Sequence, residues 1–126
     1  MAEISFKRRG ELVRGVFKIL LDHPDGLAAK RILEKLPDIV PPTEHERSEY
    51  PNHPGVRRYE PLVRFSTIAH VKAGWMDKDR RKGQWSLTDE GRQAYNDYPD
   101  PEKFDREVIR RYRAWRKEQP DEITEG

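Results

Sequence analysis

Several ingredients are missing from this sequence. It contains no cysteine, which excludes a disulfide framework and a thiolate metal site. No apolar run approaches the roughly 20 residues of a membrane-spanning helix. The N-terminal segment MAEISFKRRG also lacks the apolar core of a signal peptide. The sequence therefore predicts a cytoplasmic protein that does not associate with a membrane.

Apolar residues are scarce, at 34% of the 126 residues, whereas charged residues reach 38%. A chain of this length is expected to form one domain with a modest core. The net charge is only +2, but the segment from Arg57 to Trp85 holds eight basic and three acidic residues and therefore carries +5. This concentration of positive charge is typical of a nucleic-acid-binding protein, although a solvated charged face would produce the same pattern.

The spacing of apolar residues predicts the helices. They are expected over residues 6–22, 27–36, 60–73 and 102–117, with another short helix capped by Thr88. Pro37 is expected to end the second helix, and Gly74 the third. The segment TEHE, residues 43–46, fits a capping box and predicts a turn or two of helix within a proline-rich insertion over residues 37–57.

The segments Trp75–Asp77 and Gln84–Leu87 alternate in the manner of short strands, and the charged segment KDRRKG joins them. The resulting hairpin is called the wing. Three helices followed by such a ribbon indicate a winged helix-turn-helix, mainly α with a small β-ribbon, a long insertion before the third helix and an extra C-terminal helix. The predicted organisation is a winged-helix domain over residues 1–100, a helical extension over 101–118 and a polar tail or linker over 119–126.

The third helix has one mainly apolar arc, which is predicted to face the core. The residues of this arc are Leu62, Phe65, Ile68, Ala69, Lys72 and Ala73. The opposite arc contains Arg64, Thr67 and His70, with Val63 and Val71 among them. We expect the two valines to pack beneath the insertion or the wing rather than to contact a base methyl group.

Four segments resemble the N-terminal winged-helix domain of Mrr-type restriction proteins across residues 5–101. They are HPDGLAAKRIL (23–33), AGW (73–75), KGQWSLTDEGRQAY (82–95) and YPDP (98–101). The resemblance implies a DNA-binding domain that acts with a separate nuclease domain. This chain has no room for such a domain and lacks a strand-borne acidic pair followed by Glu-x-Lys. It also has His70 and Val71 where the family tends to have leucine.

These patterns predict that the protein binds double-stranded DNA as the targeting module of a restriction or defence system, with sensitivity to modified bases as an option. In the wing, Lys78, Arg80, Arg81 and Lys82 are expected to neutralise phosphates, and an arginine could enter a minor groove. In the third helix, Arg64, Thr67 and His70 are expected to contact base edges or phosphates, with Arg57 and Arg58 near the backbone. The alternatives are a solvated turn and a helix face covered by the insertion.

The final helix carries a basic stripe of Arg106, Arg110, Arg113 and Lys117. The stripe could extend the phosphate contacts, or it could be the exposed side of a helix docked through Phe104, Val108, Tyr112 and Trp115, which is the interpretation preferred here. The same apolar residues could form a homodimer interface. The main alternative function is accordingly a protein–protein interaction or dimerisation domain, as in some winged-helix transcription regulators.

The sequence gives little support for catalysis or metal binding. His45 and His53 match no structural zinc spacing, and no Ser/His/Asp elbow, phosphate loop or paired-carboxylate motif is present. We expect no cofactor, no metal and no enzymatic activity. Any cleavage would come from a nuclease or ATPase domain or subunit that acts with this chain.

Overall fold

The computed structural model describes residues 4–119, and its elements follow the predicted order with several additions. They are α1 (Phe6–Leu21), β1 (Leu27–Ala28), α2 (Ala29–Ile39), α3 (Glu44–Arg47), β2 (Glu49–Tyr50), β3 (His53–Arg57), α4 (Tyr59–Ser66), α5 (Ile68–Lys72), β4 (Met76–Asp79), β5 (Gln84–Leu87), α6 (Asp89–Asp97) and α7 (Pro101–Lys117). The fold is mainly α with a small antiparallel β component, as predicted. Apart from Gln119, the predicted polar tail lies outside the described residues.

The wing belongs to a three-stranded sheet with the order β1-β5-β4. β4 and β5 pair in antiparallel register, with Met76 opposite Leu87 and Asp79 opposite Gln84. The third strand, β1, was not predicted and pairs with β5 through Leu27 opposite Trp85. This short strand attaches the wing to the segment that joins α1 and α2.

The core is built around α1, in which Leu12, Val13, Val16, Phe17 and Leu20 are fully buried. The tryptophans on either side of the wing's charged loop are also buried, as expected of apolar anchors. Both valines of the third helix pack inward. Val63 is fully buried and Val71 is partly buried against the core.

The C-terminal helix α7 is part of the same core because Phe104 and Val108 pack into it. Gly10 of α1 permits the close approach, since a Cβ atom there would lie only 1.9 Å from the carbonyl oxygen of Pro101. The side chain of Asp100 caps the helix by accepting a hydrogen bond from the Lys103 N–H at 2.9 Å.

The prediction that Pro37 ends the second helix is wrong, because α2 continues to Ile39. A proline lacks the N–H that would donate to the carbonyl four residues earlier, so it removes one intrahelical bond, but the residues after it can still donate to theirs. The helix closes with a bond from the Val40 N–H to the Leu36 carbonyl at 2.8 Å. Pro41 and Pro42 follow.

The insertion is fastened to α1 by Arg8 and Glu46. The predicted capping box is present: the Glu46 N–H donates to Thr43 Oγ1 at 3.2 Å, and the Thr43 N–H donates to Glu46 Oε1 at 3.0 Å. Arg8 donates to both carboxylate oxygens of Glu46, at 2.6 and 2.9 Å. Burial acts to raise the pKa of Glu46, but the bonds from Arg8 and Thr43 outweigh it and the pKa is lowered.

The rest of the insertion forms a second hairpin, β2–β3, which was not predicted and is called the insertion hairpin (Glu49–Arg57). Every residue of β3 is exposed. The hairpin leads directly into α4, so it lies at the N-terminal end of the third helix.

None of the helices within residues 4–119 has the length and apolar character needed to cross a membrane.

Candidate nucleic-acid interface

The third helix, formed by α4 and α5, is rotated relative to the prediction. Thr67 and His70 are fully buried, so the prediction that they face outward to contact DNA is wrong. Phe65 and Ile68, which were assigned to the core, are 72% and 43% exposed. Arg64 is exposed, as predicted.

Local hydrogen bonds explain why polar side chains occupy the buried arc. Ser66 Oγ donates to the Leu62 carbonyl and Thr67 Oγ1 donates to the Arg64 carbonyl, both at 2.7 Å. His70 Nδ1 lies 3.1 Å from the Ser66 carbonyl. Side chains that bond to their own helix in this way can be buried without losing a partner, and they also make the helix irregular. The irregularity falls at Thr67, where α4 gives way to α5.

His70 is a core residue held among aromatic rings. Its ring centroid lies 5.9 Å from that of Phe17, 6.0 Å from Trp75 and 5.5 Å from Phe104. Burial lowers the pKa of His70 to about 3, so the ring is neutral at physiological pH. Its Nε2 atom faces Asp105 Oδ1 across 3.9 Å, and neither atom has a hydrogen-bond partner among residues 4–119.

Asp105 joins α7 to α1. Its Oδ2 atom forms an ion pair with Arg9 at 2.8 Å. Burial raises the pKa of Asp105 and outweighs the opposing effect of Arg9. Arg9 and Asp105 therefore link α1 to α7, and the buried His70 of the third helix lies beside the Asp105 carboxylate.

The tip of the wing presents three cations, as predicted. Arg80, Arg81 and Lys82 are all exposed, and none of them forms an ion pair within the described part of the chain. Asp79 Oδ1 accepts the N–H groups of Arg81 and Lys82 at 3.0 and 3.2 Å. Gly83 completes the turn with a φ of 65°.

The base of the wing lies beside the third helix. Lys78 donates to the Arg64 carbonyl at 3.4 Å, and its Nζ lies 4.6 Å above the ring of Trp85. The Arg64 guanidinium lies 5.9 Å from the centroid of the same ring. Burial lowers the pKa of Lys78 to about 8, with further contributions from the charges of Arg64 and Arg80. A cation of the wing and a cation of the third helix thus lie next to each other around Trp85.

Residues 10–97, well over half of the chain, match the family described as the Mrr N-terminal domain. The chain belongs to the Mrr N-terminal domain family. This confirms the resemblance predicted from the sequence and associates the chain with restriction systems. The match extends from α1 to the end of α6 and stops before α7. No curated protein and no solved structure matches the chain.

In this Mrr N-terminal domain, the two arginines that precede the third helix differ in their surroundings. Arg57 is exposed on β3. Arg58 is half-buried, with its guanidinium 4.8 Å above the ring of Tyr50 and its Nε donating to Ser48 Oγ at 3.1 Å. Arg58 therefore holds the insertion hairpin against the start of α4, whereas Arg57 has its charge in solvent.

The basic stripe of α7 is exposed but partly neutralised along its own helix. Arg106 pairs with Glu102 at 2.9 Å, and Arg110 pairs with Glu107 at 2.6 Å. Arg113 forms no such pair within residues 4–119. Because Phe104 and Val108 are buried, the structure matches the preferred interpretation of a docked helix with an exposed basic side.

An open groove of about 790 Å³, which sequence reasoning missed, adjoins the third helix. It lies between the start of α1, the insertion and α7, and Phe6, Tyr50 and Phe65 contribute aromatic rings to its walls. Arg58 and Arg113 also line it.

No group of three or more acidic or histidine residues within the described residues is arranged to hold a metal ion.

Proposed function

We propose that this domain binds duplex DNA as the targeting module of a restriction or defence system. One observation carries the proposal: the cations of the wing and of the third helix form one set of neighbouring side chains, none of which makes an ion pair within residues 4–119. The members are Arg64, Lys78, Arg80, Arg81 and Lys82. A polyanion placed against this surface would neutralise these cations; the pKa of Lys78 is lowered by burial first and then by the neighbouring charges of Arg64 and Arg80.

In this proposal, the third helix enters the major groove while the wing follows a neighbouring phosphate strand. Phosphate contacts supply most of the affinity and little sequence preference. Arg57 and Arg113 extend the contacts at the two margins of the helix. Thr67 and His70 have no part in it, because they are buried. Cleavage is assigned to a nuclease or ATPase domain or subunit that acts with this chain.

The direct test removes the wing-tip cations Arg80, Arg81 and Lys82 together by substitution with alanine. Each phosphate contact contributes about 0.9 to the slope of log affinity against log salt. The triple variant should bind every duplex more weakly and show a salt slope that is shallower by about 2.7. The measurement is fluorescence anisotropy at several salt concentrations. An unchanged affinity and salt slope would refute the proposal for the wing.

A matched control removes three exposed lysines that lie outside the wing and the third helix, namely Lys18, Lys30 and Lys35. This variant has the same net charge as the wing variant. If both variants lose affinity equally, the effect comes from overall charge rather than from a localised interface.

Arg64 tests the orientation of the third helix. Arg64→Ala should cost about 1–3 kcal/mol on sites where the guanidinium binds a guanine in bidentate fashion, and less on other sites. The assay compares the affinities of wild type and variant across a panel of duplexes. An equal loss on every duplex would assign Arg64 to the phosphate backbone.

The alternative, a protein-interaction or dimerisation domain, rests on Tyr112 and Trp115. These side chains are half-buried near the end of α7 and stack at 5.8 Å between ring centroids. The remaining apolar face of α7 is occupied by contacts within the chain. Substituting both residues with alanine should convert a dimer to a monomer in sedimentation if this alternative holds.

A further inference from the structure

The groove beside the third helix combines aromatic rings with positive charge. Its rings come from Phe6, Tyr50 and Phe65. The charged side chains that line it are four arginines and one carboxylate, namely Arg8, Arg9, Arg58, Arg113 and Glu46. The lining is therefore cationic and favours an anionic ligand. The volume of about 790 Å³ lies within the range of about 300–1,000 Å³ that is typical of small-ligand sites.

Two of these arginines have charges without a carboxylate partner. Arg113 is exposed, and the guanidinium of the half-buried Arg58 lies 4.8 Å above the ring of Tyr50. Neither forms an ion pair within residues 4–119, whereas Arg8 and Arg9 are paired with carboxylates. Guanidinium groups match the geometry of phosphate oxygens, so Arg58 and Arg113 are suited to hold a phosphate group.

The ring of Phe65 is the uncovered aromatic surface of the groove. Phe65 is 72% exposed. Within residues 4–119 it stacks on no other ring and lies under no arginine or lysine. An aromatic side chain in a positively charged groove is the arrangement on which unpaired bases stack.

We infer that this groove binds an unpaired nucleotide of a DNA strand that leaves the duplex, with its base stacked on Phe65 and its phosphate held by Arg58 and Arg113. The inference rests on the proposed function, because the duplex on the third helix and the wing delivers the strand. Phe65 directly follows Arg64, so the groove begins beside the proposed duplex surface. An acidic protein segment would match the charge alone, whereas every nucleotide carries both a phosphate and a flat ring.

The test compares three duplexes of one sequence by fluorescence anisotropy. The first is blunt, the second carries a short unpaired extension on one strand, and the third carries the same extension without its bases. The third duplex therefore keeps the phosphates and removes the stacking. One stacked base corresponds to about a tenfold gain in affinity. Wild type should bind the extended duplex about tenfold more tightly than the duplex whose extension lacks bases.

Variants at position 65 test whether the ring causes this ratio. Phe65→Leu should lose the ratio, because leucine is apolar but has no ring, and Phe65→Trp should keep it. Phe65 lies largely outside the core, so both variants should keep the wild-type unfolding temperature. Tyr112→Leu is the matched control, since it removes a half-buried ring that does not line the groove, and it should keep the ratio. Arg113→Gln should weaken binding to both extended duplexes equally.

Failure of the inference can be distinguished from failure of the proposed function. Equal binding of the two extended duplexes would overturn the inference, as would a ratio that survives in Phe65→Leu, and binding of the blunt duplex would leave the proposed function intact. If wild type binds none of the three duplexes, both proposals fail. A free mononucleotide or a polyglutamate peptide that binds wild type but not Phe65→Leu, while the two extended duplexes bind equally, would assign the groove to that ligand and also overturn the inference.

Discussion

His70→Leu should reduce the stability that this fold loses between about pH 7.5 and about pH 5. The unfolded chain takes up a proton at His70 as the pH falls through about 6.5, the ordinary histidine value. The folded chain does not, because burial lowers the pKa of His70 to about 3. The contribution of His70 to stability is therefore complete above pH 6.5 and is lost progressively as the pH falls from 6.5 towards 3.

The size of the effect at about pH 5 follows from the unfolded state. One pKa unit corresponds to 1.36 kcal/mol, and pH 5 lies about 1.5 units below the unfolded pKa, so the loss is about 2 kcal/mol. The exact pKa in the fold matters little, provided that it lies well below 5. For a chain of this length, the loss corresponds to a decrease of about 7 °C in the unfolding midpoint.

Leucine suits the test because it fills a similar volume among Phe17, Trp75 and Phe104 and carries no titrating group. The variant loses the hydrogen bond between Nδ1 and the Ser66 carbonyl, but that loss is the same at both pH values. Asp105 contributes to the pH dependence of stability with the opposite sign. Its pKa is raised in the folded state, so its stabilising effect is lost as the pH rises. It is present in both proteins, so its contribution largely cancels in the comparison.

The assay is thermal and urea unfolding of both proteins, followed by circular dichroism, at about pH 7.5 and about pH 5. Wild type should lose about 2 kcal/mol more than the variant between the two conditions. Equal losses would refute the reasoning. They would mean that His70 takes up a proton inside the fold, where Asp105 Oδ1 at 3.9 Å is the available counter-charge.

Three further predictions follow from other contacts. DNA affinity should fall as the pH rises above about 8, because Lys78 then loses its proton in the free domain; Lys78→Arg should keep the affinity constant in anisotropy titrations over the same range. Gly91→Ala should cost about 3 kcal/mol in urea unfolding, since the new Cβ would lie 1.9 Å from the Trp75 carbonyl oxygen. Arg8→Ala should cost about 3 kcal/mol by leaving the buried Glu46 carboxylate unpaired, and Arg8→Ala with Glu46→Ala should cost less than the sum of the two single changes.

The parts of the fold that were predicted correctly depend on interactions between residues that are close in sequence. The capping box at Thr43 and the helix cap at Thr88 each need only a side chain and nearby backbone N–H groups. The two strands of the wing alternate and are joined by a turn that contains glycine. In contrast, β1 and the first strand of the insertion hairpin have two residues each, which is too short for any periodicity to be visible.

The position of α7 required information that the sequence does not contain. Its apolar face would suit either α1 of the same chain or a second copy, because burial in either place removes the same surface from water. In the structure α7 packs against α1 through contacts between residues that are distant in sequence. They are the ion pair between Arg9 and Asp105 and the close approach of Pro101 to Gly10. No local pattern predicts either contact.

The error in the third helix has a different cause. Two arcs of this helix are compatible with helical spacing, and counting apolar residues favoured the arc that contains Phe65 and Ile68. The structure buries Thr67 and His70 instead, because local hydrogen bonds and the surrounding aromatic rings satisfy them. Burying Phe65 and Ile68 would have removed more apolar surface from water. Local sequence preferences tend to conflict with the fold at functional sites, so the exposure of these two side chains supports a binding role for the third helix.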